Sequence, residues 1–169
     1  KDGAFHGKGI LKEAWGDIYV GDFVNNIAEG FGRQNSIVNG KSTGYFEGEL
    51  KNDYLNGEGV WVDEIGTYKG TFKDHLLNGF ATAEYTNGNR YEGYFQKDLE
   101  HGQGTFVYAD GSKFIGEYKE GLRHGPGVME FSSGDTFIGE YFENYFKKGE
   151  YTYSNGDKFI GEWDDDELR

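Results

Sequence analysis

The stretch from Tyr91 to Gly111 reads YEGYFQKDLEHGQGTFVYADG, and the chain repeats it. It returns 23 residues later, from Phe114 to Gly134, as FIGEYKEGLRHGPGVMEFSSG. Further copies open at Phe46, Tyr68 and Phe137. Self-similarity at a fixed period of about 20–50 residues is the signature of a repeat protein. The sequence therefore predicts an array, whose function lies on the surface that the repeats build together.

Three marks recur in phase along the chain. The first is an aromatic-x-Gly opening, whose glycines are spaced by 27, 22, 23, 23, 23 and 22 residues. A Gly-x-Gly pair or a close variant follows nine residues later, and a polar residue with glycine closes most repeats. The opening glycines are Gly21, Gly48, Gly70, Gly93, Gly116, Gly139 and Gly161.

The spacing of these marks sets the predicted boundaries. Residues 1–169 are expected to form one array, with partial repeats at 1–17 and 157–169. The second repeat holds about four extra residues between Gln34 and Thr43. Insertions in repeat proteins collect in loops, so a longer loop is predicted there. This loop, near Ser36–Lys41, is expected to interrupt the binding groove of the array. The complete repeats are predicted at about 18–43, 44–66, 67–88, 89–111, 112–134 and 135–156.

The pattern inside a repeat alternates with a period of two. Tyr91, Gly93 and Phe95 point to one face of a strand, and the residues between them point to the other. Asp110-Gly111 and Asn155-Gly156 are strong hairpin signals. Glycine opposite an aromatic ring lets the ring lie across the neighbouring strand. The predicted fold is all-β, an elongated single-layer antiparallel meander of β-hairpin repeats of about 23 residues each.

Composition excludes several classes of protein. The 29 glycines do not recur at every third residue and only one proline occurs, so neither collagen nor a disordered Pro/Gly linker fits. The absence of Cys excludes disulfides and thiolate metal sites. A net charge of −13 argues against a general affinity for nucleic acid or anionic lipid. No apolar run approaches the roughly 18 residues of a membrane span.

No catalytic or metal-binding constellation is predicted. His6, His101 and His124 occupy the same slot of their repeats, but equivalent positions in adjacent hairpins lie about 10 Å apart, too far for a shared metal ion. Recurring carboxylates point away from the aromatic face onto an open surface. We therefore expect no enzyme activity, no metal and no cofactor. These carboxylates are Glu49, Glu117, Glu140 and Glu162.

The aromatic stripes are the candidate binding surface. The opening aromatics are expected to stack from hairpin to hairpin. A single-layer sheet has no second layer to cover its aromatic face, so that face is expected to be partly exposed, and exposed apolar surface marks an interaction site. The predicted partner-binding residues on this aromatic face are Phe72, Phe95, Tyr118, Tyr141, Trp163, Tyr91 and Phe114.

The motif order resembles the MORN (membrane occupation and recognition nexus) repeat. Its elements are Tyr/Phe-x-Gly-x-Tyr/Phe, then Gly-x-Gly, then Tyr/Phe and a polar residue with Gly, at a period of 23 residues. The resemblance implies elongated single-layer sheets of hairpins. It also implies roles in cytoskeletal, ciliary and junctional scaffolds, or beside catalytic domains in lipid kinases and SET-domain methyltransferases. Such arrays bind protein partners, often a peptide or helix laid in a groove, and some self-associate.

These considerations favour a non-enzymatic protein-interaction or scaffold module. It is expected to bind a peptide or helix on its aromatic face, within a cytoskeletal, ciliary or axonemal protein on the cytoplasmic side. The acidity favours a basic or amphipathic partner segment. The alternatives are a membrane or phospholipid tether, for which Lys147 and Lys148 are the main basic residues, and a regulatory array attached to an enzyme. Self-association through the sheet ends stays open, and nucleic acid is not expected.

Overall fold

The structure, a computed structural model, describes residues 3–164 and 167–168. Fifteen strands occur in this part of the chain, and no helix occurs there. The residue contacts divide the chain into two compact units, Lys1–Thr86 and Asn87–Arg169. In each unit the strands follow one another in sequence order and pair antiparallel. The predicted all-β antiparallel meander of hairpins is confirmed.

The first unit contains seven strands. They are β1 (Gly7–Lys12), β2 (Ile18–Val24), β3 (Ile27–Val38), β4 (Lys41–Lys51), β5 (Tyr54–Val62), β6 (Gly66–Lys73) and β7 (Leu76–Tyr85). The second unit contains eight strands. They are β8 (Arg90–Gln96), β9 (Leu99–Val107), β10 (Lys113–Lys119), β11 (Leu122–Glu130), β12 (Thr136–Phe142), β13 (Tyr145–Thr152), β14 (Lys158–Asp164) and β15 (Glu167–Leu168).

Two kinds of turn alternate along the meander. Asp110-Gly111 and Asn155-Gly156 connect antiparallel strands as predicted, but within five-residue loops. In the first of these loops the Gly111 N–H donates to the Tyr108 carbonyl at 3.0 Å. The tightest turns have two residues, both with positive φ, which matches the twist of the flanking strands. These turns are Asn25-Asn26, Asn39-Gly40, Asn52-Asp53, Asp74-His75, Lys97-Asp98, Glu120-Gly121 and Glu143-Asn144.

The second residue of several tight turns also joins neighbouring hairpins. Asp53 Oδ1 accepts a hydrogen bond from the Ala28 N–H at 2.6 Å, and the Asp53 N–H donates to the Ala28 carbonyl at 3.0 Å. His75 Nδ1 and Asn144 Oδ1 accept equivalent bonds from Leu55 and Arg123. We call this arrangement the turn latch. It satisfies backbone groups at the start of a strand that the ladder leaves unpaired.

The predicted longer loop between Gln34 and Thr43 is wrong. Instead β3 and β4 continue past the usual hairpin length and pair through Ile37–Ser42 and Val38–Lys41. They turn over Asn39 and Gly40, which have φ values of 51° and 74°. β-Branched residues favour strands and Asn-Gly favours a two-residue turn, so the insertion lengthens a hairpin rather than forming a loop.

One face of the second unit is built from rings in edge-to-face contact. Tyr91 and Tyr118 have ring centroids 5.2 Å apart, and Phe114 and Tyr141 have centroids 4.9 Å apart. Such contacts contribute about 0.5–1.5 kcal/mol each beyond the area that they bury. We call this series the ring ladder. It runs through Phe95, Tyr91, Tyr118, Phe114, Tyr141, Phe137, Trp163 and Phe159.

The glycine pairs provide the seats for these rings. A Cβ atom placed on Gly116 or on Gly127 would lie 2.5 Å from Phe114 Cζ, so neither position has room for a side chain. Gly116 faces Gly127 across the β10–β11 pair, and the ring lies over both. This contact explains why the aromatic-x-Gly and Gly-x-Gly motifs recur in phase.

Candidate functional site

The strand alternation gives the second unit two different faces. The ring ladder lies on one face, together with the glycines that carry it. The residues between them lie on the opposite face, which we call the open face. Phe114, Gly116 and Tyr118 thus point one way, while Ile115 and Glu117 point the other.

The structure buries all seven aromatic residues that the sequence predicts to bind a partner. Phe72 is in the first unit and the other six are in the second, and none is more than 8% exposed. These seven rings are covered by other rings and by nearby side chains. For example, the Arg123 guanidinium lies 5.7 Å from the Phe114 ring centroid and 5.4 Å from that of Tyr141. Other rings of the same face, such as Phe106 and Tyr151, are partly exposed, as expected. Partner contact by these seven residues stays a prediction.

Burial also fixes the charge state of the ladder. It raises the pKa of Tyr91 and, more strongly, that of Tyr118, far above the ordinary value for tyrosine. Both hydroxyls therefore stay neutral near neutral pH. The Tyr91 hydroxyl donates to the Tyr94 carbonyl at 3.1 Å. Tyr91 and Tyr118 therefore take no part in acid–base chemistry near neutral pH.

The open face of the second unit carries a row of exposed apolar side chains. Ile115 faces Val128 across β10 and β11, and Val128 faces Ile138 across β11 and β12. Glu150 on β13 separates Ile138 from Ile160 on β14. Ile115, Ile138 and Ile160 are 42%, 55% and 74% exposed. We call Ile115, Val128, Ile138 and Ile160 the isoleucine row.

A second row runs beside the isoleucine row, one side-chain position further along β10. It holds Glu117, Glu140, Lys148 and Glu162, and we call it the acidic row. Glu140 faces Lys148, which in turn faces Glu162, and the Lys148 ammonium lies 3.2 Å from the Glu140 carboxylate. Three carboxylates against one ammonium leave this row with a net charge of −2.

The two rows border an open groove of 830 Å³. Its walls include members of both rows, and its floor is the glycine backbone that carries the ring ladder on the opposite face. The groove therefore has one apolar side and one acidic side. The floor glycines are Gly116, Gly127, Gly139, Gly149 and Gly161.

The first unit differs at the equivalent positions. Its row reads Ile10, Val20, Arg33, Glu47, Val60, Lys69 and Thr82 by strand pairing. The Arg33 guanidinium forms an ion pair with the Glu47 carboxylate at 3.2 Å. A groove of 440 Å³ lies beside Val20 and Phe31 and is bordered by this ion pair. No apolar row as long as the isoleucine row forms in the described residues of this unit, because Arg33 and Glu47 separate Val20 from Val60.

Among residues 3–164 and 167–168, no group of three or more His, Asp or Glu side chains is arranged to hold a metal ion. The same described residues contain no helix with the length and apolar character that a membrane crossing requires.

Sequence reasoning missed the isoleucine row, although the sequence contains a signal for it. The middle position of the aromatic-x-Gly opening is Ile115, Ile138 and Ile160 in three consecutive repeats. In the two repeats before them the same position holds Lys69 and Glu92. A run of isoleucines at a position that points away from the buried face indicates exposed apolar surface.

Comparisons with known proteins identify the repeat. The MORN repeat family matches residues 1–18, 19–34, 46–67, 68–90, 91–113, 114–136 and 148–158. No curated protein matches the chain. A similar solved structure is the TCP domain of SAS-4 (dCPAP) from Drosophila melanogaster, in complex with a proline-rich motif of Ana2 (dSTIL). It is 11% identical, with 92% of this chain and 90% of that chain covered and a TM-score of 0.44. The matches to the MORN repeat cover most of the sequence, and the chain belongs to the MORN repeat family.

Proposed function

We propose that the chain is a non-enzymatic protein-interaction module that docks an amphipathic helix of a partner on the open face of its second unit. The observation that carries the proposal is the isoleucine row, an exposed apolar series on one side of a groove. Exposed apolar surface with a polar border is typical of an interaction site.

The ring ladder has a structural role in this proposal. Its rings are covered and seated on glycines, so a partner would have to displace them before contacting them. The isoleucine row needs no such rearrangement. We therefore propose that the partner contacts the open face. The aromatic face, which the sequence favoured as the binding surface, packs on the opposite side of the sheet and stabilises the groove.

The strand pairing favours a helix as the docked segment. Strands β10, β11, β12 and β13 each pair on both sides, so their backbone offers no edge to an added strand. An extended peptide laid across them would lose water from its own backbone without gaining partners. A helix satisfies its backbone hydrogen bonds internally and presents apolar side chains at i, i+3, i+4 and i+7.

The setting of the module is a further part of the proposal. MORN repeats occur in cytoskeletal and ciliary scaffold proteins. We propose that this chain belongs to such a scaffold, on the cytoplasmic side. The match to the MORN repeat family supports this placement. A fluorescent fusion that colocalises with cytoskeletal or axonemal markers would support the placement, and one that does not would contradict it.

A designed peptide tests the docking. The probe is a 21-residue helical peptide with a leucine stripe and flanking lysines, compared with a scrambled peptide of the same composition. Fluorescence anisotropy measures the affinity of each. Ile138→Ser is expected to weaken binding about tenfold, since burying one such side chain contributes about 1.5–3 kcal/mol and 1.4 kcal/mol is tenfold in affinity. Ile10→Ser is the control, since Ile10 is exposed in the corresponding row of the first unit, next to Val20.

Two results would contradict the proposal. One is equal affinity of the probe for the Ile138→Ser and Ile10→Ser variants. The other is equal binding of the scrambled peptide. Vesicles with neutral or anionic lipids provide a third arm. The membrane alternative would be favoured if the chain bound anionic vesicles saturably and did not bind the peptide. The double variant Lys147→Glu with Lys148→Glu should then abolish the vesicle binding.

A further inference from the structure

We infer that the groove of the second unit admits its helix in one direction, set by the charge difference between its two sides. This inference rests on the proposed function and specifies the partner: a helix with an apolar stripe and with lysine or arginine along one flank only. The basic flank lies against the acidic row, so the position of the flank on the helix decides which way the helix runs.

The acidic row attracts a basic flank. Lys148 neutralises Glu140, which leaves Glu117 and Glu162 without a cation among the described residues. Glu117 accepts a hydrogen bond from Gln103 Nε2 at 3.2 Å, which orients the carboxylate without neutralising it. Two cations of a partner can therefore be accommodated near the two ends of the row.

The other side of the isoleucine row is already neutralised. The Lys113 ammonium lies 2.8 Å from the Glu130 carboxylate, and the Lys158 ammonium lies 2.6 Å from the Glu150 carboxylate. A basic flank placed on this side would meet ammonium groups rather than free carboxylates. Like charges brought together across an interface suppress the wrong arrangement.

The spacing of the isoleucines sets the apolar pattern of the partner. Ile115, Ile138 and Ile160 lie on every second strand, so their spacing across the sheet is about 9.6 Å per step. A helix advances about 10.5 Å in seven residues. The partner therefore needs apolar side chains at i, i+7 and i+14, with further apolar contacts at i+3 or i+4.

The direction can be measured with two probe peptides. Both carry the same leucine stripe, and their lysines lie on opposite flanks of the helix. A nitroxide at the peptide N-terminus broadens nearby methyl signals, and the Ile115 and Ile160 δ1 methyls report the two ends of the groove. We expect broadening at one end with the first peptide and at the opposite end with the second.

A pair of double variants tests the charge. Glu117→Lys with Glu162→Lys is expected to weaken both peptides about tenfold and to flatten the salt dependence of binding. Glu49→Lys with Glu58→Lys changes the net charge equally on the open face of the first unit, and it is expected to leave the affinity within about twofold.

Each outcome decides the inference. The inferred direction would be wrong if both peptides broadened the methyl signal at the same end of the groove. It would also be wrong if each peptide broadened the signals at both ends equally. Neither result would contradict the docking itself. Equal effects of the two double variants would also overturn the inferred direction, because the attraction would then depend only on net charge. Absence of binding by either peptide would overturn the proposed function and the inference with it.

Discussion

At the middle position of its opening motif the second unit carries Ile115, Ile138 and Ile160 in three of its four copies, whereas the first unit carries Glu47 and Lys69 in two of its three. Both units keep glycines beneath aromatic residues, and both keep the turn latch. The buried pattern is therefore common to the two units, and the open faces differ.

The difference separates two kinds of position. A glycine under a ring cannot accept a side chain without moving the ring, so the buried pattern is held by packing. An exposed position between two such residues has no packing requirement and can hold isoleucine, lysine or glutamate. The repeat thus supplies a scaffold, and the open face of each unit is where binding properties are set.

The buried faces differ in detail as well. Leu50 occupies the position that Phe95 and Tyr118 hold in the second unit, and Ala83 occupies the position of Phe106. Leu55 and Leu77 are buried beside them. The first unit thus replaces part of the ring series with aliphatic packing, and the second unit keeps a continuous ring ladder.

The largest effect is expected from cutting the ring ladder. Phe137 is completely buried and contacts Tyr141 and Trp163, at centroid distances of 5.3 and 5.1 Å. Phe137→Ala should lower the free energy of unfolding by about 3–5 kcal/mol, because it leaves a cavity inside the ladder. Urea unfolding followed by circular dichroism measures this change.

The matched control for this substitution is Phe142→Ala. Phe142 lies on the same strand but is 48% exposed, so its removal should cost about 0.5 kcal/mol or less. Equal losses for Phe137→Ala and Phe142→Ala would contradict the structural role of the ladder.

A smaller loss is expected from adding one methyl group under a ring. Gly127→Ala would place a Cβ 2.5 Å from Phe114 Cζ, and the forced shift should cost about 1–3 kcal/mol. In Gly9→Ala, at the equivalent position of the first hairpin, the nearest ring atom would be Phe23 Cε2 at 3.2 Å. That variant should lose under about 1 kcal/mol. Thermal unfolding of the two variants compares the units, and a larger loss for Gly9→Ala would refute the account.

The turn latch at His75 should make the stability of the first unit sensitive to pH. The Leu55 N–H donates to His75 Nδ1 at 3.2 Å, so the latch requires a neutral imidazole. Burial lowers the pKa of His75 below its ordinary value, and the opposing effect of Asp74 is smaller. The latch therefore contributes its full stabilisation at pH values above about 6.5, the pKa of histidine in the unfolded chain. This stabilisation is lost as the pH falls through the lower pKa of His75 in the folded chain.

Hydrogen exchange at the Leu55 amide measures this dependence. The loss should be about 1 kcal/mol, the contribution of one hydrogen bond. His75→Asn should remove the pH dependence, because Asn144 forms the same latch in the second unit with a side chain that does not titrate. Unchanged pH dependence in this variant would show that another group is responsible.

The smallest effect on stability is expected from the Arg33–Glu47 ion pair. Both side chains are at least 40% exposed, so replacing both with isoleucine should change the unfolding free energy by less than about 1 kcal/mol. The replacement would give the first unit an apolar row from Val20 to Val60. Titration calorimetry should then show two sites for the probe peptide instead of one. A stoichiometry that stays at one would mean that an apolar row alone does not make a site.

The sequence predicts the buried half of this molecule well. Tyr91, Gly93 and Phe95 share a face because strand alternation and ring-over-glycine packing are local rules. The lengthened hairpin at Ile37 and Val38 was not predicted, because loop and strand are both compatible with an insertion until pairing partners are known. The burial of the rings depends on contacts between hairpins, which no single repeat contains.

The candidate site was harder to predict for the same reason. Aromatic residues suggest binding surfaces, and a single-layer sheet suggested that they are accessible. Whether a ring is covered depends on its neighbours in space, such as Arg123 over Phe114 and Tyr141. The isoleucines were visible as a repeated residue type, but their alignment into one row follows from the strand register.

Methyl NMR of the chain with the probe peptide tests the central claim most directly. The three isoleucines of the second unit all lie in the isoleucine row, and Met129, the only methionine, is buried on the ring face. We predict that the δ1 methyl signals of Ile115, Ile138 and Ile160 shift on binding while the Met129 methyl and the isoleucines of the first unit do not. A shift of Met129 with the three isoleucines unchanged would contradict the account and return the site to the aromatic face.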